Sequence, residues 1–176
     1  TCESPHLDAI EQAHSRMTTL IEDLLRLARQ GEAVSNTKVA DLAPVVETCW
    51  ETVETGDASL VIEADRTVVA NASRLKQLFE NLIRNAVEHG GDDVTVAVGG
   101  LDDGFYIEDD GPGISDDDRE SVFEPGYSTH AEGTGFGLSI VQRIAEAHGW
   151  DIRVTSGTEG GARFEVAGVE SAESTL

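Results

Sequence analysis

A chain of 176 residues, 39% of them hydrophobic, is long enough for one packed domain and an appendage, and it contains no low-complexity block. Its 34 acidic residues against 12 basic leave a formal net charge of -22, a surface that repels nucleic acid and anionic lipid and that points to a salt-loving source, where self-repulsion is screened. No apolar run approaches the ~18 residues of a membrane span, no signal peptide is visible, and Cys2 and Cys49, without metal spacing, read as free thiols in a reducing compartment.

The first element is a helix over 6–30. Ile10, Ala13, Met17, Leu20, Leu24 and Leu27 recur at heptad spacing, and Leu7, Ile21, Leu25 and Ala28 widen that seam into the face of a bundle. Ser4-Pro5 reads as its start and Gly31 as its stop. At ~37 Å it is long for a small domain and suits a dimerising hairpin, with packing on its own domain as the alternative. The chain opens without Met, close to this helix, which suggests a fragment of a longer protein.

An extended stretch at 36–39 precedes a helix from Asp41, the cap, to about Val53. Two strands, 59–63 and 67–70, flank a turn at Asp65-Arg66. Residues 72–89 keep helical period through Leu75, Leu78, Leu82 and Ala86 and end before Gly90-Gly91. Strands follow at 94–98 and 105–108 with a turn at 99–104, then a helix from 137, then strands at 151–155 and 162–166 around GTEGG. The tail from Gly168 is polar and reads as loose. This order predicts an α+β domain with a mostly antiparallel sheet and helices on one face.

The chemistry gathers around two glycine clusters, DDGPGI at 109–114 and EGTGFGLSIV at 132–141. A glycine loop running into a helix start presents free N–H groups and a positive dipole end, which suits phosphate. Asn81 and Asn85, one turn apart, share a helix face; an amide oxygen there suits Mg²⁺ and its neighbour suits phosphate, although a solvated amide pair has the same spacing. Asp109 at a strand end can accept from an exocyclic amine, which selects adenine over guanine, or it can simply open a turn. Phe123 and Tyr127 are placed to flank a base or to anchor the loop. His148 reads as a cation at a helix C-terminus.

In order and spacing, ENLIRNAVEH, DDGPGI, VFEPGYST and EGTGFGL resemble the N box, first glycine box, F box and second glycine box of sensor histidine kinases, which belong to the gyrase-like Bergerat-fold ATPases. The resemblance covers about residues 36–167. It implies a two-layer α/β sandwich over 32–170 with a lid before the second glycine box, preceded over 1–31 by the second helix of a dimerisation and phosphotransfer hairpin, with 171–176 as a tail. ATP and Mg²⁺ are the implied cofactors. The implied site places Asn85 on Mg²⁺, Asn81 on the phosphates and Asp109 on the adenine amine. Gly111, Gly113 and Ile114 shape the base pocket with Phe123 and Tyr127. Gly133, Thr134, Gly135, Phe136, Gly137 and Leu138 wrap the triphosphate.

Where hydrolytic relatives carry a Glu that activates water, this chain has Asn81, which leaves ATP to a histidine acceptor. The implied partners are a response-regulator receiver domain and a second copy joined through helix 6–30, with no nucleic acid and no direct membrane contact, in the cytoplasm. The chain also departs from the pattern. Glu88 stands where a Lys is common, and His89 where an aromatic residue often meets the nucleotide. The lid has no Lys or Arg, so His130 takes that place, and Ala162 replaces a common Thr. No H-E-L-R-x-P segment occurs; His6 and His14 match nothing, and the phosphoacceptor is expected outside this chain. A degenerate scaffold that binds a regulator or dimer partner, or a related ATPase, are the alternatives.

Overall fold

A computed structural model describes residues 5–29, 34–127 and 135–172. In chain order the elements are α1 (Pro5–Arg29), β1 (Lys38–Asp41), α2 (Leu42–Thr52), β2 (Ser59–Ile62), β3 (Thr67–Ala70), α3 (Ala72–Gly90), β4 (Thr95–Leu101), β5 (Gly104–Asp109), a 3-10 turn at Ser121–Phe123, α4 (Gly137–His148), β6 (Asp151–Ser156) and β7 (Ala162–Ala167).

The main sheet has the order β2-β4-β5-β7-β6, antiparallel except for the β2–β4 pair, and β1 and β3 form a separate antiparallel ribbon. The two strands read at 59–63 and 67–70 are both present as β2 and β3, and they join different sheets, β2 beside β4 and β3 beside β1. The 99–104 turn is also tighter than expected, because Gly99 and Gly100 stay in register opposite Tyr106 and Phe105.

Alternation sorts the sheet into two faces. Phe105 and Ile107 on β5, Phe164 and Val166 on β7, and Val96 and Val98 on β4 are buried against the helices. α3 supplies the opposing stripe of Leu75, Leu78, Phe79, Leu82 and Ile83, each at most 1% exposed. Phe79 and Phe105 meet at 5.2 Å between ring centroids, and Trp150 packs edge-on against Phe105. Burying an aromatic ring of this kind is worth ~1.5–3 kcal/mol. The outer face is polar. Arg163 lies over the Tyr106 ring at 3.7 Å and bonds Glu108 and Glu165, and Tyr106 donates to Glu63.

Helix ends carry their own signals. The Asn71 side chain accepts from Arg74 N–H at the start of α3. Asp41 holds the cap position of α2 without a side-chain capping bond. α4 ends at Gly149, whose φ of +77° is the left-handed cap conformation. The stretch after Gly168 is not loose at first: Val169 is buried, its N–H donates to Asp103 O, and Val69 N–H donates to Glu170 O.

His148 is not the expected cation. Its Nε2 accepts from Asn71 N–H at 3.1 Å, so Nδ1 carries the proton and donates to Ile144 O at 2.8 Å. The ring stacks on Trp150, and burial holds its pKa below the ordinary value, so it is a neutral bridge from α4 to the start of α3.

α1 lies against α4. Leu20 is half-buried and Asp23 is 5% exposed, yet Leu7, Ile10, Met17, Ile21, Leu24 and Leu25 are 44–63% exposed. The helix thus touches its own domain while most of the heptad face stays uncovered in this chain.

Candidate functional site

Two periodicities and one helix start build the site. Asp109 has the parity of Phe105 and Ile107, so the end of β5 turns it to the helix side of the sheet. On α3, Asn81, Asn85, Glu88 and His89 fall beside the buried apolar stripe. α4 begins at Gly137 with no side-chain cap, leaving its first N–H groups and positive dipole end open. These three regions line one cavity of about 290 Å³.

Of the residues singled out by sequence, Asn81, Asn85, Glu88, His89, Asp109, Gly113, Ile114, Tyr127, Gly135, Gly137 and Leu138 line this cavity. Gly111, Phe123 and Phe136 do not. Phe123 is buried in the core, edge-on to Phe164. Gly111 passes Gly90 so closely that a Cβ would stand 2.6 Å from the Gly90 Cα. His130, Gly133 and Thr134 lie outside the described residues.

Asp109 is held from two sides. Its Oδ1 accepts from Gly111 N–H at 2.9 Å and from Ala162 N–H at 3.3 Å. Oδ2 takes no hydrogen bond among the described residues, and Asp109 lines the cavity. Burial raises its pKa; the two backbone N–H groups pull the other way. Gly161 is indispensable here, because a Cβ at that position would overlap the Asp109 backbone carbonyl. The sequence reading treated Gly161 only as part of a turn. The GG pair facing a strand end is the signal that carries it.

Asn81 is 5% exposed, and its Nδ2 donates to Gln77 O within the helix. Asn85 is half-buried and its side chain makes no hydrogen bond among the described residues. Its amide oxygen is a hard neutral donor of the kind Mg²⁺ accepts beside phosphate oxygens. At the rim, Ser115 Oγ donates to Asp118 at 2.6 Å. Partial burial and the adjacent Asp118 raise the Tyr127 pKa. Sequence reading missed Thr19, Asp23, Arg84, Ser115 and Asp118 as lining residues. Arg84 was recoverable from helical spacing, since it is three residues from Asn81; Thr19 and Asp23 depend on how α1 lies.

A layered α+β domain with an amide-bearing helix, a carboxylate at a strand end and an open helix start around one hollow defines a nucleotide-binding protein of the Bergerat type. The sequence profile of the histidine kinase-, DNA gyrase B-, and HSP90-like ATPases matches residues 70–170. Sensor histidine kinase CpxA of Escherichia coli (strain K12) is 31% identical over 181 residues, covering 93% of this chain and 39% of that protein. AfsQ2 of Streptomyces coelicolor, a signal transduction histidine-protein kinase, is 36% identical over 160 residues, covering 85% of this chain and 30% of that protein.

Among solved structures, the mycobacterial sensor histidine kinase MprB superposes with a TM-score of 0.67 at 25% identity, over 77% of this chain and 99% of that one. Full-length ShkA in complex with AMPPNP gives 0.72 at 26% identity, over 95% of this chain and 39% of that one. The chain belongs to the histidine kinase-, DNA gyrase B- and HSP90-like ATPase family, as an ATP-binding catalytic domain of the sensor histidine kinase class. It spans 22–39% of the length of these curated relatives and of the Escherichia coli O157:H7 kinase ZraS.

Proposed function

We propose that this chain binds Mg-ATP and donates its γ-phosphoryl group to a histidine outside residues 1–176, for relay to the receiver domain of a response regulator. Residues 32–170 are the catalytic domain, and 1–31 are the second helix of a dimerisation hairpin. The whole works as a homodimer in the cytoplasm.

The observation that carries the reading is the meeting of Asn85, Asp109 and the start of α4 on one hollow. Asp109 Oδ2 accepts from the adenine amine, a pairing that guanine, with a carbonyl there, does not offer. Asn85 Oδ1 would hold the Mg²⁺ that accompanies the nucleotide, and that ion would supply neutralisation of phosphate charge. The N–H groups opening α4 take the phosphate chain. Gly133, Thr134 and His130 of the lid are assigned to the same chain of phosphates. Asn81, buried at the position of the water-activating Glu of hydrolytic relatives, offers no base, so transfer rests on positioning and charge neutralisation.

The uncovered Leu7, Ile10, Met17, Ile21, Leu24 and Leu25 support α1 as an intermolecular helix. With γ-labelled Mg-ATP, this chain alone should take up no covalent label, and a chain carrying the upstream hairpin helix should become labelled in its presence. Label on His6 or His14 would refute the assignment. Glu88 and the cation-free lid favour a second reading, a scaffold with a degenerate site. No calorimetric heat on adding ATP in molar salt with Mg²⁺ would select it.

A further inference from the structure

We propose that Arg84 is the cation of this cavity and holds the phosphate chain of the nucleotide, a role that rests on the nucleotide reading above. At 100° per residue, positions 81, 84, 85, 88 and 89 of α3 fall within an arc of about 140°, so Arg84 shares the polar stripe of Asn81 and Asn85. Arg84 lines the cavity and is half-buried.

The charge around it is one-sided. Asp23, Glu88, Asp109 and Asp118 line the cavity, and Arg84 is the one Arg or Lys among the described lining residues. The sequence from Pro125 to Phe136 adds no Lys or Arg. A triphosphate entering such a hollow meets carboxylates, with Arg84 as the permanent opposing charge beyond its own Mg²⁺.

Arg84 is also uncommitted. Among the described residues it makes no hydrogen bond or ion pair. Arg66 is tied to the Leu101 and Asp102 carbonyls, Arg119 to Asp116 and Ser156, and Arg153 and Arg163 to Glu165. In a chain with 34 acidic residues against 12 basic, a half-buried guanidinium with neither a carboxylate nor a carbonyl partner among the described residues is conspicuous. Its planar fork matches phosphate oxygens in pairs, which an ammonium does not.

The test is titration of Mg-ATP, and of adenosine by displacement, at one fixed salt concentration. Arg84→Gln should raise the Kd for Mg-ATP roughly tenfold to a hundredfold, the size of a lost charge-assisted hydrogen bond, and leave adenosine unchanged. Arg84→Gln combined with Glu88→Lys, which moves the cation one turn along the same stripe, should recover much of the loss. If the unaltered chain binds Mg-ATP and Arg84→Gln binds it equally well, the assignment of Arg84 is overturned and the nucleotide site stands. Equal weakening of ATP and adenosine also overturns it, because the residue then serves the fold. If the unaltered chain binds neither, both readings fall.

Discussion

α1 and α3 are both amphipathic helices, and their apolar faces meet opposite fates. α3 buries Leu75, Leu78, Phe79, Leu82 and Ile83 against the sheet, whereas α1 leaves Leu7, Ile10, Met17, Ile21, Leu24 and Leu25 at 44% exposure or more. Periodicity states that a face is to be covered and is silent on what covers it. α3 finds its cover in strands of its own chain. The cover of α1 is, in the reading above, a second helix pair.

The sharpest way to break this contrast is paired truncation. Phe79→Ala should lower unfolding free energy by ~3–5 kcal/mol in a urea titration. Ile21→Ser, on the exposed face, should change it by no more than ~0.5 kcal/mol at concentrations where the chain is monomeric. A large loss from Ile21→Ser would mean that α1 belongs to the catalytic core after all.

Next in size is Gly161→Ala, whose new methyl overlaps the Asp109 carbonyl; it should cost ~1–3 kcal/mol of stability and weaken ATP binding with it. Asp109→Asn should instead leave the melting temperature nearly unchanged and raise the Kd for ATP about tenfold or more by calorimetry.

The smallest effect concerns His148. Its folded pKa lies below 6.5, so between the two values the unfolded chain binds more protons. The stability it contributes is complete above pH 6.5 and is lost as pH falls below that. His148→Gln should flatten stability against pH in this window, measured by thermal melts. An unchanged slope would show that His148 does not titrate as a buried acceptor.

Much of this arrangement was legible in the residues. Alternation in FYIED placed Asp109 on the core side of its strand, and the spacing of Asn81 and Asn85 placed both on one stripe of α3. What escaped was non-local. Nothing in Ser59–Ala70 says that its two strands pair with β4 and β1 rather than with each other, because register is set by partners elsewhere in the chain. His148 looked like a cation because a helix C-terminus favours charge, but the Asn71 N–H, 77 residues away, requires a neutral acceptor. Thr19 and Asp23 reach the cavity only through the lie of α1 on α4.

The grip of Ala162 N–H on the Asp109 carboxylate bridges 53 positions of chain. A polypeptide growing on the ribosome has made Asp109 long before the final strand of the sheet has emerged. On the function proposed above, nucleotide capture waits for that strand, and the extra stability a ligand confers on the folded form arrives only at the close of synthesis.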